Sequence, residues 1–304
     1  MPAFDLAQFD LATRFKEGSK HPVTGEPPPA EDLALPLIPV AQKAGAAILE
    51  IYASNPNVRY KADRSPVTDA DHASEDIILE ALLKLAPHVP VIAEEQLAAG
   101  RIPDVEDTFF LVDPLDGTKE FIRRNGEFTV NIALIGRGRP VFGLIYAPDK
   151  ADCYITLGAG RAARCKLRPD RNPASSQRFD FEPLTGEPPE PRPFTALVSR
   201  SHLTPETEAF LAGLGGPPRM LLGSSLKFGV IARGLADVYP RFAPTSEWDT
   251  AAGQALLDAV GGLIQASDGE PLAYGKKDRA FLNPSFVAWR RAGDAAKAKD
   301  ASRL

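Results

Sequence analysis

Apolar residues in the first third of the chain recur every three or four positions, which is the period of one helix face. Two segments follow this pattern, residues 33–54 and residues 71–85, and Pro87 and Pro90 end the second. We predict an amphipathic helix in each. Residues 1–31, which precede them, are polar and interrupted by prolines, and we expect a loosely ordered arm there.

Further along, short apolar runs bounded by turn-forming residues predict β-strands. The run at 109–112 is apolar throughout, as in a strand that is covered on both faces. Residues 128–135 and 141–146 predict a hairpin. Further strands are expected at 91–93, 152–157, 194–199, 220–222 and 237–242, and helices at 204–214, 225–233 and 248–260. Helices and strands mix without strict alternation or an internal repeat, so the predicted fold class is α/β or, more broadly, layered α+β.

One segment, residues 161–193, interrupts this pattern. It is rich in arginine, contains seven prolines and shows little apolar periodicity. A long stretch of this kind is uncommon inside a domain unless it is functional or disordered. We therefore predict a surface excursion.

The composition narrows the class of protein. The 304 residues are 44% hydrophobic and 25% charged, as in ordinary globular proteins. The net charge of −5 argues against a protein that coats nucleic acid. The two cysteines, Cys153 and Cys165, match no zinc or redox spacing. The N-terminus does not resemble a signal peptide, and no apolar stretch reaches the roughly 20 residues of a membrane helix. We expect a cytoplasmic protein with no transmembrane segment and no nucleic-acid partner.

The stretch most indicative of chemistry is Asp113-Pro-Leu-Asp-Gly-Thr118, directly after the fully apolar strand. The proline forces a turn between the carboxylates of Asp113 and Asp116, and Gly117 allows a tight backbone path. Thr118 is expected to cap a short helix whose free N–H groups suit a phosphate oxygen. Carboxylates at a strand end are the ligands that Mg²⁺ requires. Two aspartates at this spacing are by themselves more often turn formers, but the whole string favours a metal site.

Two further acidic elements fit this interpretation. Glu94-Glu95 ends a short apolar strand, and Trp248-Asp249 opens an alanine-rich helix. Each has a simpler alternative, a solvated glutamate pair and an N-terminal helix acid respectively. Neither element indicates a metal site by itself.

Taken together, these segments resemble the signature of the inositol monophosphatase-like phosphatases. Its order is Glu-Glu after a strand, then Asp-Pro-hydrophobic-Asp-Gly-Thr, then Trp-Asp before an alanine-rich helix. Residues 65–71 (Ser-Pro-Val-Thr-Asp-Ala-Asp) are similar to a fourth block, which opens the second helix. Within the superfamily, residues 113–122 and 124–131 are most similar to the 3′(2′),5′-bisphosphate nucleotidases of the CysQ type. The resemblance implies alternating helix and sheet layers, an αβαβα sandwich.

The resemblance also implies a Mg²⁺ site with two or three ions. Glu94, Asp113 and the backbone carbonyl of Leu115 would hold the first ion. Asp113, Asp116 and Asp249 would hold the second, and a weaker third ion would rest mainly on Glu94.

Catalytic roles follow from the same resemblance. Asp71 and Thr118 would orient and deprotonate the attacking water, and the amides of Gly117 and Thr118 would bind the phosphate. The substrate contacts implied on both sides of the site are Glu94, Leu115, Asp116, Gly117, Thr118, Ser201, His202, Ser224, Lys227, Arg241 and Asp249. Two alternatives stay open: Lys227 as the solvated face of its helix, and His202 as part of a turn before the next helix.

The implied function is hydrolysis of the 3′-phosphate of 3′-phosphoadenosine 5′-phosphate to AMP and phosphate, by direct attack of a metal-activated water. This reaction would clear a by-product of sulfate assimilation, and the family resemblance implies inhibition by Li⁺. Rival hypotheses are an inositol monophosphatase, a fructose-1,6-bisphosphatase and, more remotely, a non-catalytic metabolite-binding protein. The oligomeric state, monomer or homodimer, and a loose association with the inner face of the cell membrane are left open.

The resemblance divides the chain after the arm into two halves. Residues 32–158 would form the metal-binding half. Residues 159–304 would form a smaller substrate-side half, which contains the excursion at 161–193. Its helix at Trp248-Asp249 would return to the metal site.

Overall fold

The structure is a computed structural model that describes residues 28–54, 56–61, 63–174 and 177–295. Its helices are α1 (Ala30–Ala53), α2 (Asp69–Leu85), α3 (Glu94–Ala98), α4 (Thr118–Ile122), α5 (Pro205–Gly213), α6 (Leu226–Ala232) and α7 (Ala251–Ala259). Its strands are β1 (Val58–Tyr60), β2 (Pro66–Thr68), β3 (Val91–Ala93), β4 (Thr108–Asp116), β5 (Thr129–Gly136), β6 (Arg139–Ala147), β7 (Asp152–Thr156), β8 (Ala162–Lys166), β9 (Glu182–Leu184), β10 (Ala196–Ser199), β11 (Arg219–Leu222), β12 (Val238–Arg241), β13 (Leu263–Ala266) and β14 (Phe286–Trp289). Short 3₁₀ turns lie at Pro148–Lys150, Glu247–Asp249 and Lys277–Arg279.

The two N-terminal helices agree closely with the periodicity. Helix α1 begins at Ala30, so the end of the predicted arm belongs to the helix, while residues 1–27 lie outside the described part of the chain. Helix α2 begins at Asp69, where Thr68 and Asp71 form a capping box: Asp71 Oδ2 accepts from Thr68 N at 2.8 Å. This cap ties Asp71 to the start of its helix.

The strands form two large sheets and one small ladder. The first sheet has the order β3-β4-β5-β6-β7-β8-β9 and is antiparallel except for the β3–β4 pair. The second has the order β11-β10-β12-β14-β13, with β10 parallel to both of its neighbours. Strands β1 and β2 pair separately as an antiparallel ladder.

Strand β4 shows how the layers are built. Phe110 and Val112 pack in a core with α1 and α2, whereas Phe109 and Leu111 pack in the opposite core with α6, α7 and the five-stranded sheet. A third cluster, which includes Leu211 of α5, covers the far face of the five-stranded sheet. The order of layers is therefore helix, sheet, helix, sheet, helix, and the predicted αβαβα sandwich is confirmed.

The predicted excursion at 161–193 contains strands that the composition concealed. Strands β8 and β9 extend the seven-stranded sheet. Arg164 is nearly buried in β8 because Asp152 and Glu182 accept its hydrogen bonds at 2.6–2.9 Å. The prediction of an excursion without strands is thus wrong for β8 and β9. One sheet also continues past residue 158, where we divided the chain, although the roles of the two halves stay a prediction.

Helix α1 raises the question of a membrane span. Among the described residues it is the one helix long and apolar enough by length and composition to cross a bilayer, with a hydropathy of 1.3 over Glu31–Ala53. Half of this apolar stretch is buried inside the protein, and Leu37, Ile38 and Ala41 pack in the core. Core helices of soluble proteins pass the same test, so this helix is weak evidence for a membrane span.

Candidate active site

The chain around Asp113 departs from the predicted abrupt strand end. Strand β4 continues to Asp116 through a register shift against β5, between Asp113 and Asp116. Pro114 lies inside the shift because it has no N–H to donate to the ladder. The expected cap by Thr118 is wrong: Gly117, with φ 94°, is the residue before the helix, and Thr118 is its first residue. Gly117 accommodates this left-handed conformation without a Cβ penalty.

This bulged segment forms one wall of a cavity of about 350 Å³, a volume within the range of small-molecule sites. The start of α4 contributes to the same wall. The start of α6, strand β12 and the turn at Glu247–Asp249 also contribute residues to the lining.

Three aspartates meet in this cavity. One carboxylate oxygen each from Asp113, Asp116 and Asp249 lies within 4.8 Å of the others. Each carboxylate accepts a backbone hydrogen bond that fixes it: Asp113 from Leu115 N at 3.0 Å, Asp116 from Ser225 N at 2.5 Å, and Asp249 from Ser246 N at 2.8 Å. The donor set consists of hard, fixed oxygen atoms, which fits Mg²⁺.

The electrostatics of the cluster support the same fit. Burial and the charge of Glu94 raise the pKa of Asp113 well above its usual range. Burial and the charge of Asp116 raise the pKa of Asp249 to about 7. Carboxylates so close together repel one another when ionised, and a divalent cation would relieve that repulsion.

Glu94 lines the same cavity, outside the 4.8 Å group of aspartates. Its Oε1 and that of Glu95 each lie 2.6 Å from the ammonium of Lys61. Burial opposes the charge on Lys61, but the two glutamates offset this effect and raise its pKa. Burial raises the pKa of Glu94 to about 8. Because Glu95 is buried and both acids share one lysine, the alternative of a solvated glutamate pair is wrong.

Asp71 lies behind the cavity wall and reaches it through Thr118. The Thr118 hydroxyl is 3.2 Å from Asp71 Oδ1 and 3.4 Å from the Leu115 carbonyl. The other oxygen of Asp71 accepts from the backbone and side chain of Thr68 at 2.8 and 2.7 Å. Burial raises the pKa of Asp71 to about 6, so the carboxylate is mostly ionised at neutral pH and can accept a proton.

Cationic side chains form a second part of the cavity wall. Lys227 is 4% exposed, lies 5.0 Å from the ring centre of Tyr239 and donates to the Ser224 carbonyl at 2.5 Å. Burial lowers its pKa to about 8. The alternative that Lys227 forms a solvated helix face is therefore wrong. Arg241, also buried, donates to Ser199 Oγ at 3.2 Å.

His202 is part of this wall rather than only part of a turn. Burial and the charges of Arg241 and Lys119 lower its pKa to about 3, so the ring is neutral at neutral pH. Lys119 Nζ lies 3.2 Å from His202 Nε2, and an ammonium can only donate. Nε2 therefore accepts, and Nδ1 carries the proton toward Ser199 Oγ at 3.4 Å.

The structure brings most of the predicted site residues to this one cavity. The lining includes Glu94, Asp113, Leu115, Asp116, Gly117, Thr118, His202, Ser224, Lys227, Arg241 and Asp249. Asp71 and Ser201 are not among the lining residues. The Ser201 hydroxyl instead lies between Glu120 Oε1 at 2.5 Å and Arg123 Nη1 at 3.0 Å.

Sequence reasoning missed four residues of the site. Lys61 gives no periodic signal, and only its position shortly before a recognised block hinted at a role. Lys119 and Glu120 directly follow the Asp-Gly-Thr string and line the cavity. Ser225 lies in a segment that was singled out, and its amide and hydroxyl both donate to Asp116 at 2.5 Å.

Residues 30–301 match the model of the inositol monophosphatase family, so this chain belongs to that family. The resemblance expected from the motifs is thereby confirmed. The chain is 42% identical over 250 residues to the 3′(2′),5′-bisphosphate nucleotidase CysQ of Salmonella typhimurium, covering 81% of this chain and 95% of that relative. CysQ of Escherichia coli strain K12 gives the same identity and coverage.

Solved structures agree with the sequence relatives. CysQ from Bacteroides thetaiotaomicron, described as a bacterial member of the inositol monophosphatase family, is similar with a TM-score of 0.72 and 40% identity. The match covers 86% of this chain and 98% of that one. An IMPase of Thermotoga maritima, at 19% identity and a TM-score of 0.65, supports the fold alone.

Proposed function

We propose that this protein is a Mg²⁺-dependent 3′(2′),5′-bisphosphate nucleotidase that releases the 3′-phosphate of 3′-phosphoadenosine 5′-phosphate and leaves AMP. The observation that carries the proposal is that one cavity is lined both by a cluster of carboxylates, the acidic wall, and by cationic side chains, the cationic wall. Of these cations, Lys227 and Arg241 are buried. A substrate with two phosphates would use both sets of groups, and the CysQ relatives carry the name of this activity.

The acidic wall is suited to hold the metal. Asp113, Asp116 and Asp249 would be the ligands, joined by Glu94 and the Leu115 carbonyl, with two or three ions in total. When bound, Mg²⁺ supplies positive charge to the phosphate and makes water acidic enough to act as a nucleophile at neutral pH.

The chain itself supplies proton transfer and phosphate binding. Thr118 can pass a proton from its hydroxyl to Asp71, which is 3.2 Å away. Asp71 can take that proton because its carboxylate is held ionised by the two hydrogen bonds from Thr68. Gly117 and Thr118, at the start of α4, line the cavity, and their backbone N–H groups would suit a phosphate oxygen. No covalent bond to the protein is needed.

The cationic wall accounts for the second phosphate. Lys119, Lys227 and Arg241 present donors to the cavity, and the neutral ring of His202 lies among them. Arginine and lysine are the usual partners of phosphate. An inositol monophosphate has no second phosphate to pair with the buried Lys227 and Arg241, which favours the bisphosphate nucleotide over that rival. A non-catalytic binding protein would have no use for the Thr118–Asp71 pair.

Phosphate release from a panel of esters at matched Mg²⁺ tests this proposal. We expect kcat/KM for 3′-phosphoadenosine 5′-phosphate to exceed that for inositol 1-phosphate and fructose 1,6-bisphosphate by at least about a hundredfold, since unpaired buried charges penalise the wrong substrate. Faster turnover of inositol 1-phosphate would refute the substrate assignment. Absence of turnover with every ester would favour the binding-protein hypothesis.

We also propose a cytoplasmic location and a partner set limited to small-molecule esters, with no nucleic-acid polymer. The net charge of −5 supports the second point. Inhibition by Li⁺ remains an expectation from the family resemblance.

A further inference from the structure

One carboxylate on the cation-rich side of the cavity has no role in the proposed reaction. Glu120, the third residue of α4, lines the cavity and is 4% exposed. Its neighbours Lys119 and Lys227 are donors that suit phosphate. An ionised Glu120 offers only acceptors, so a phosphate group is not its partner.

The side chain is held in one position. Glu120 Oε1 accepts from the Ser201 hydroxyl at 2.5 Å, and Arg123 donates to that same hydroxyl at 3.0 Å. On the other side, the stem of Glu120 packs on Gly223 so closely that a Cβ there would lie 2.5 Å from Glu120 Cγ. Such a fixed side chain can position a ligand without further loss of side-chain entropy.

The second oxygen of Glu120 is open. Within the described parts of the chain, Oε2 has no hydrogen-bond partner. Nor is it one of the fully enclosed unsatisfied atoms, so it keeps some exposure, and Glu120 is a residue of the cavity lining. Acceptors in the interior of proteins are normally paired, and a bound molecule would pair this one.

We infer that Glu120 is a specificity-determining residue whose Oε2 accepts a hydrogen bond from an N–H or O–H donor on the nucleoside part of the substrate. This inference rests on the proposed nucleotidase function and adds recognition of the sugar or base to recognition of the phosphates. 3′-Phosphoadenosine 5′-phosphate carries two such donors outside its phosphates, the 2′-hydroxyl and the 6-amino group.

The test compares Glu120→Gln with the wild-type protein. Glutamine keeps the size of the side chain and an oxygen that can accept from Ser201. In place of Oε2 it presents an amide NH2 group, which cannot accept a hydrogen bond from the substrate. We expect KM for 3′-phosphoadenosine 5′-phosphate to rise by about tenfold or more, the effect of one lost hydrogen bond to a charged group, with kcat within about twofold. Rates with p-nitrophenyl phosphate, which has no nucleoside, should not change.

Two substrate analogues identify the donor. With wild-type protein, the 2′-deoxy analogue or the inosine analogue should already show the raised KM, depending on which donor contacts Glu120. For that analogue, Glu120→Gln should add little. If the variant raises KM for both analogues as much as for the parent substrate, neither donor forms a hydrogen bond to Glu120 and the inference is wrong.

Glu127→Gln is the matched control. Glu127 likewise contacts Gly223, since its Oε2 accepts from the backbone N–H of Gly223 at 2.8 Å, and it pairs with Arg200, but it does not line the cavity. An equal rise in KM in this variant would mean that Glu120 only supports the 200–223 region, which overturns the inference. So would an unchanged KM in a Glu120→Gln protein with wild-type melting temperature.

Glu120→Asp should show the same raised KM, because its side chain is one methylene shorter and withdraws the carboxylate from the substrate. This variant replaces Glu120→Gln in the test if the glutamine variant does not fold. A wild-type protein that does not prefer the nucleotide in the ester panel refutes the proposed function before any variant is made. The two failures are therefore distinguishable.

Discussion

Replacing Asp116 by asparagine tests whether the three aspartates share a cation, and the structure sets the sign of the effect. Their carboxylate oxygens lie within 4.8 Å of one another. Two unit charges at that distance repel by about 3.5 kcal/mol at an effective dielectric constant of about 20. Without metal, asparagine removes the repulsion with both Asp113 and Asp249 at almost unchanged volume.

Two effects reduce this gain. Asp116 accepts from the amide and hydroxyl of Ser225 at 2.5 Å, and replacing the charged acceptor by a neutral one weakens each bond by about 1 kcal/mol. The raised pKa of Asp249 also allows a proton to relieve part of the repulsion in the wild-type protein. We expect the metal-free variant to be more stable than the wild type by about 2 kcal/mol, a rise in melting temperature of about 3 °C for a chain of this length.

The assay is thermal unfolding followed by circular dichroism at pH 8, first with a chelator and then across a Mg²⁺ titration. Mg²⁺ should stabilise the wild-type protein by about 2.7 kcal/mol at a hundred times its dissociation constant, and the variant much less. Phosphate release from the variant should fall by more than about a hundredfold. A metal-free variant less stable than the wild type, or an equal response to Mg²⁺, would refute the shared site.

Three further predictions follow from the same geometry. Thr118→Ala should lower kcat by about 10²-fold or more with little change in KM, since it removes a positioned proton carrier. Thr118→Ser keeps the hydroxyl and should retain most of kcat. Steady-state kinetics check this prediction, and a kcat of Thr118→Ala comparable to that of the wild type would contradict it. The metal-free protein should melt at a lower temperature at pH 8 than at pH 6.5. Glu94 and Asp249 have a pKa of about 8 and about 7 in the folded state, so the folded protein binds more protons than the unfolded one in this window and loses stability as pH rises. A flat or rising profile would show that these acids are not held as described. Lys61→Met should destabilise the metal-free protein by about 3 kcal/mol, because Glu94 and Glu95 lose the cation they share. Added Mg²⁺ should recover part of the lost stability. If the variant and the wild type melt at the same temperature in the presence of a chelator, Lys61 does not have this role.

Much of the fold was predictable because the apolar positions carry a clear period. The helices α1 and α2 and the strand at Phe109–Val112 lie where the pattern places them, and the alternation of β4 between two cores explains its unbroken apolar run. Strand β8 was missed because Arg164 breaks its apolar pattern, and β9 was missed because it is only three residues long, Glu182–Leu184. Arg164 is tolerated in β8 only because Asp152 and Glu182 lie beside it. Neither partner can be recognised before the strands are aligned.

The candidate metal ligands could be named for a different reason. Asp113 and Asp116 share one short string, and Asp249 belongs to a recognisable block, so the resemblance indicated them without any knowledge of their distances. Reasoning from local residue preferences, in contrast, misplaced Thr118 as a helix cap, since the left-handed conformation of Gly117 is set by how β4 bulges against β5.

The sequence by itself determined the layered class, the acidic strings and the prediction of phosphate-ester hydrolysis, because these depend on local pattern and residue type. Only the tertiary structure decided that Lys61 lies between Glu94 and Glu95, that Lys227 is buried, and that Glu120 holds Ser201. Such contacts join residues far apart in the chain. They arise when sheets and helices pack and exclude water, so that charges must find partners wherever the fold brings them together.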